Sequence, residues 1–284
     1  MRKYLPALGL PLFVMLAVPA SAEEATCARA ALSQAAEAYV EAQLAGDPER
    51  MALAETLIYR EQMAPASLRD GILARPLVIA FHRTLLDPQT CQSFIEAVVT
   101  DPAHPYVLGT RLKLSGGKVT EIETLITDSD DWLFNAGNTM RYSQAEHWDV
   151  VSPEDRASRD TLIAAANAYL DHFADKSIPV PWGQPCARLE GGLYTTRRAP
   201  GVVTQDDSCN VGVPENTHLV DRRYIVDEDM NAVVVLLAFG KNRQPDSHMF
   251  RVENGKLRYV HTITVCRTPN CGFPPHPVAD APAT

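Results

Sequence analysis

An internal duplication narrows what this chain can fold into more than any other feature. Residues 35–41 read AAEAYVE and residues 165–171 read AANAYLD, with Tyr39 and Tyr169 in matching places on helical patterns. YREQ (59–62) then matches RLEG (188–191), which aligns Glu61 with Glu190. RLKLSGGKVTEIETLIT (111–127) matches MFRVENGKLRYVHTITV (249–265), which aligns Gly117 with Gly255. The offset drifts from 130 to 129 to 138, so the order is kept and the second copy has a longer middle. Each copy reads as a long helix, a short acidic strand, a variable middle and a closing hairpin. That is an α+β pattern, with a curved antiparallel sheet wrapped over helices.

The boundaries follow. Arg2 and Lys3, an apolar run from Leu5 to Val18 and Ala20-Ser21-Ala22 predict a cleaved secretory signal over 1–22. The first copy spans 23–127, an inter-domain segment 128–157, the second copy 158–271, and a Pro-rich tail, expected to be disordered, 272–284. Within the inter-domain segment, Ser152-Pro153-Glu154-Asp155 predicts a helix start. Trp132 and Trp148 in the same segment are expected to pack across the two copies.

Export fits the cysteines. Six remain after cleavage, an even number that predicts disulfides rather than a metal site, since C-x-x-C, H-E-x-x-H and H-x-H are all missing. Six cysteines allow 15 connectivities; the expected set is Cys27–Cys91, Cys186–Cys209 and Cys266–Cys271, each bridge staying within one half and the last stapling the tail. Removing the signal leaves 24 cations against 35 acids, a net charge of −11. With no Lys/Arg run and no later long apolar stretch, nucleic acid and membrane are not expected partners. A periplasmic or extracellular protein acting on a small molecule is expected.

PWGQPCARLEGG (181–192), SCNVGVP (208–214), RRYIVDE (222–228), DSHMFRVENGKLRYVHTITVC (246–266) and DPAHPYVLGTR (101–111) resemble an exported fungal and bacterial family that is a domain of unknown function. The helix, short strand and long hairpin also resemble the NTF2-like (SnoaL-like) cone fold, here in tandem. The resemblance implies two cone-shaped domains whose concave sheet faces line pockets. It implies no particular reaction, since such folds host dehydratases, isomerases, cyclases, epoxide hydrolases and pure binding modules.

The closing hairpin of the second copy holds the candidate chemistry. Asn254-Gly255 predicts a type I′ turn. Val252 then faces Leu257, Phe250 faces Tyr259 and His248 faces His261, all on one face. Arg258 falls on the other face. In the first copy the same reading sets Thr110 opposite Glu123. Two adjacent imidazoles disfavour double protonation, so one is expected to act as a general base. The candidate catalytic residues are His248, His261, Glu190 and Tyr224. The candidate substrate-binding residues are Tyr259, Phe250, Arg188, Arg222, Tyr169 and Trp182, with the arginines suited to an anionic group or oxyanion. No phosphate loop, dinucleotide fingerprint or G-x-S-x-G is present, so the expected chemistry is cofactor-independent acid–base work of the lyase, isomerase or hydrolase type on a mostly apolar molecule. The alternative is a non-catalytic pocket that binds a small ligand or closes a homodimer.

Overall fold

The computed structural model describes residues 27–274 and 277–282. The expected signal segment and His276 lie outside the described residues. Helix α1 (Arg29–Ala45) is Ala-rich and buries Leu32, Ala36, Tyr39 and Ala42, a stripe at helical spacing. It ends at Gly46, whose left-handed φ of 63° suits a residue without Cβ. Strands β1 (Leu53–Glu61), β2 (Ala64–Pro65), β3 (Phe81–Asp87), β4 (Gln92–Val99), β5 (Tyr106–Ser115) and β6 (Lys118–Thr127) form a sheet in the order β2-β1-β6-β5-β4-β3. Helix α2 (Ala136–Ala145) lies in the joining segment, and α3 (Arg159–Asp171) opens the second copy. Strands β7 (Trp182–Glu190), β8 (Leu193–Tyr194), β9 (Leu219–Asp227), β10 (Ala232–Phe239), β11 (Gln244–Glu253) and β12 (Lys256–Thr264) repeat the order as β8-β7-β12-β11-β10-β9.

The expected α+β class is observed, with two sheets of matching strand order. The expected antiparallel sheet needs one amendment. β1 runs parallel to β6 and β7 parallel to β12, while the other ladders are antiparallel. A last strand that closes beside the first, after a whole sheet has been wound, has no hairpin to force it antiparallel.

Three apolar layers result. α1 packs on the first sheet through Leu32, Tyr39, Ile95 and Leu112. α3 packs on the second through Leu162, Tyr169, Phe250 and Val260. The other faces of the two sheets pack on each other through Phe94, Leu125, Val234, Met249, Tyr259 and Ile263, with Trp148 from the joining segment. The face of the second sheet turned away from α3 is thus covered by the other copy of the same chain. Gly109 fits this middle layer because a Cβ there would come within 2.9 Å of Ile263 Cδ1.

The three expected disulfides are present: Cys27–Cys91, Cys186–Cys209 and Cys266–Cys271. They fit an oxidising compartment. Two local expectations are corrected. Pro153–Asp155 forms only a 3₁₀ turn, and α3 starts at Arg159 with Ser158 as its cap. Ser152 Oγ bonds Asp155 instead of a backbone N–H, and Asn231 takes the Ala157 N–H at 2.7 Å, which keeps the chain extended there. The Pro-rich tail is ordered over 277–282, because the Asn138 amide accepts from Ala281 N at 2.7 Å and donates to the Ala279 carbonyl at 2.8 Å.

Candidate functional site

The turn is where the sequence puts it. Asn254 and Gly255 have φ of 51° and 71°, and Val252 pairs with Leu257. One residue further the ladder slips: Arg251 pairs with Tyr259, leaving Arg258 as a bulge. Beyond it Met249 pairs with His261, and His248 with Thr262. A one-residue slip exchanges the two faces of a strand. His248 therefore faces α3, His261 faces the first copy, and the predicted histidine pair does not exist. Tyr259 moves with His261 and stacks on Trp148 at 5.9 Å, away from the cavity face. The bulge adjoins a break in β7, where the register jumps between Trp182 and Ala187. The first copy slips in the same place, at Thr120, so that Arg111 faces Glu123 and Thr110 faces Thr124.

Five residues now form one row across the concave face of the second sheet: Tyr224, Val235, His248, Thr262 and Glu190. His248 and Glu190 flank Thr262, roughly 10 Å apart at their Cα atoms by strand spacing. Both line a cavity of about 460 Å³ with Phe173, Phe239, Trp132 and Phe273. Trp132 and Phe273 meet at 5.0 Å, one from the joining segment and one from beyond the Cys266–Cys271 bridge.

His248 is 2% exposed. Its Nδ1 lies 3.0 Å from Asp246 Oδ2, a charge contact set off the hydrogen-bond line, since both atoms are buried without a hydrogen bond. Thr264 Oγ1 donates to the other Asp246 oxygen at 2.7 Å. Glu190 pairs with the buried Arg188 guanidinium at 3.0 Å, and Arg188 also donates to the Tyr169 hydroxyl at 3.3 Å. Burial pushes the Tyr169 pKa up, which keeps its proton in place.

The remaining candidates are structural in position. Tyr224 donates to Asn167 at 2.8 Å, and Arg222 joins Asn167 and Asp171. Phe250 packs under Tyr169 at 5.2 Å, and Trp182 packs edge-on to Tyr169 at 5.6 Å. None of these four lines the cavity. Trp132 and Phe273 were not candidates, because only the fold brings the joining segment and the tail to one mouth. Asp246, two residues before His248 on the same face, is legible in the sequence as a group able to orient the ring or donate a proton.

His261 is buried between the two copies. Its Nδ1 is 2.9 Å from Glu96 and its Nε2 is 2.6 Å from Glu146. Burial opposes its charge, but Glu146 and Glu96 outweigh burial and raise its pKa to about 9. Trp148 Nε1 donates to Glu146 at 2.8 Å, and the Arg83 guanidinium lies over the Trp148 ring. This is a charge-balanced lock between the copies.

The first copy does not repeat the site. The places of Asp246 and His248 are taken by Leu108 and Thr110. Glu61, the counterpart of Glu190, is held by the Tyr59 hydroxyl and the Ile72 N–H, both at 2.5 Å. Ile72 and Leu73 fill that copy's interior.

Fold and site together define a class: duplicated α+β domains, the second of which holds a cavity lined by His248 and Glu190. A family model described as a domain of unknown function (DUF8021) matches residues 155–264, the second copy. No curated protein matches. An NTF-2 like protein of unknown function from Burkholderia xenovorans LB400 is similar at 15% identity and a TM-score of 0.28, covering 35% of this chain and 84% of that chain.

Proposed function

We propose that the protein is exported and that its second copy binds a small, largely apolar organic molecule and acts on it by cofactor-independent acid–base chemistry. The observation that carries this reading is the His248–Asp246 contact at the wall of an aromatic-lined cavity of about 460 Å³. A carboxylate on the Nδ1 side favours the tautomer protonated there, which leaves Nε2 as the base. Asp246 then stabilises the imidazolium once a proton has been taken. Glu190, fixed by Arg188, holds a hydroxyl or amine of the ligand from across Thr262. Such a site suits elimination, isomerisation or hydrolysis. The first copy serves as scaffold.

Untargeted mass spectrometry of the purified protein should find a molecule retained by the wild type and lost in Thr262→Phe, which fills the cavity wall. With that molecule in hand, His248→Ala should cut turnover about 10²–10⁴-fold. Wild-type turnover left intact in a folded His248→Ala would sink the catalytic reading. A second reading, ligand binding without turnover, is favoured by the near-parallel stacking of His248 on Phe250 at 6.0 Å and 18°. It predicts a retained molecule that the wild type never converts.

A further inference from the structure

Matching rows on the two packed sheet faces end differently. In the second copy the row is Leu189–His261–Met249, across β7, β12 and β11. Its counterpart in the first copy is Arg60–Glu123–Arg111, across β1, β6 and β5. The joining segment covers only the former. Tyr142 of α2 packs with Ala187, Leu189 and Tyr194, and Glu146 and Trp148 close over His261. The latter borders an open cleft of about 690 Å³ between the copies.

Six cations line this cleft, Arg60, Arg111, Arg223, Lys241, Arg243 and Arg267, against the carboxylates of Glu121, Glu123 and Asp221. The carboxylates are already matched. Arg111 reaches Glu121 at 2.9 Å, Arg223 grips both oxygens of Glu123, and Arg243 meets Asp221. Arg60 and Lys241 form no ion pair among the described residues. Arg267 donates only to the Arg243 carbonyl there, at 3.3 Å. Three positive charges are thus left over at one place in a chain whose net charge is −9. Unmatched cations that share a concave wall repel one another and focus a positive potential into it. Arginine forks match carboxylate and phosphate oxygens in pairs.

We propose that this inter-domain cleft binds a small organic anion bearing two or more carboxylate or phosphate groups, held by Arg60 from the first copy and by Lys241 and Arg267 from the second. Neither copy supplies these cations alone, so the site gives the duplication a use. It is separate from the histidine cavity: Gln244 lines that cavity, and its neighbour Pro245 lines this cleft.

Isothermal titration calorimetry of the full chain at low salt, with citrate and with pyrophosphate as probes, tests the site. Saturable binding is expected, weakened at least about tenfold in Arg60→Gln/Lys241→Gln/Arg267→Gln. Arg69→Gln/Lys118→Gln/Lys256→Gln, which removes equal charge from exposed positions elsewhere, should bind as the wild type does. Binding of citrate alone assigns carboxylates, and binding of pyrophosphate alone assigns phosphates. The proposal is overturned if neither probe binds, if the cleft variant binds undiminished, or if both variants weaken equally.

Discussion

At the scale of single residues, two histidines of one hairpin have opposite situations. His261 is an imidazolium between two carboxylates, with its pKa raised from 6.5 to about 9. A raised folded-state pKa gives stability that is complete below the unfolded value and is lost as pH climbs through the folded one. The shift corresponds to on the order of 3 kcal/mol. The urea midpoint of the wild type should therefore fall between pH 6.5 and pH 9. His261→Gln should be less stable at pH 6.5 by about 3–5 kcal/mol, because two buried carboxylates are left with Arg83 alone as counter-charge, and should lack that fall. A wild-type midpoint flat across the window would end this account. At His248 the environment is aromatic, with Asp246 as the ring's only charged contact among the described residues. Residue type was legible for both, but environment was not, because their neighbours Glu96, Glu146, Trp148, Phe173 and Phe239 come from other elements.

At the scale of elements, the decisive feature is the bulge at Arg258. Its side chain is half-buried, 3.8 Å from Glu253 and stacked over Tyr259, so it contributes little by itself. Its extra backbone residue sets which face each later β12 side chain takes. Arg258→Ala should keep the fold with a loss of about 1 kcal/mol or less. Deleting Arg258 should force His261 and the charged lock off the inter-sheet face and abolish cooperative melting, read by circular dichroism. A deletion variant that melts like the wild type would contradict this. The duplication, the helices α1 and α3, both hairpin turns and the presence of disulfides were legible in the sequence, since each rests on local pattern or count. The bulge was not legible. Tyr-Val-His-Thr-Ile alternates acceptably in either register, and the choice is made by the break in β7 and the second sheet behind it.

At the scale of the molecule, the copies are tied by a reciprocal exchange. Arg29 at the start of α1 bonds Asp227, which also accepts the Leu86 N–H at 2.9 Å. Arg159 at the start of α3 bonds Asp87, which accepts the Val226 N–H at 3.0 Å. Both aspartates are fully buried. Removing either leaves a backbone N–H of the opposite copy without its carboxylate; Arg159 also loses its partner, whereas Arg29 keeps Asp229 at 2.9 Å. Asp87→Ala and Asp227→Ala should each cost about 1–3 kcal/mol. Hydrogen exchange should show lost protection in both copies, not only in the mutated one, and protection lost on one side alone would show that the halves are energetically independent. Cys27–Cys91 closes a longer loop than Cys266–Cys271, with separations of 64 and 5. Loop entropy gives it about 4 kcal/mol against about 2. The double Cys→Ser variants should differ in melting in that order.

The sequence by itself determined two copies of one α+β unit, their order, their turns and that their cysteines pair, because periodicity, turn chemistry and cysteine count act over short stretches, while the structure decided which cysteine meets which. It also supplied the residue types of a titratable pocket. Only the tertiary structure decided which histidine meets a cavity and which becomes a buried ion. A strand has two faces and no local preference between them when both will be buried, so the assignment falls to what packs against each face.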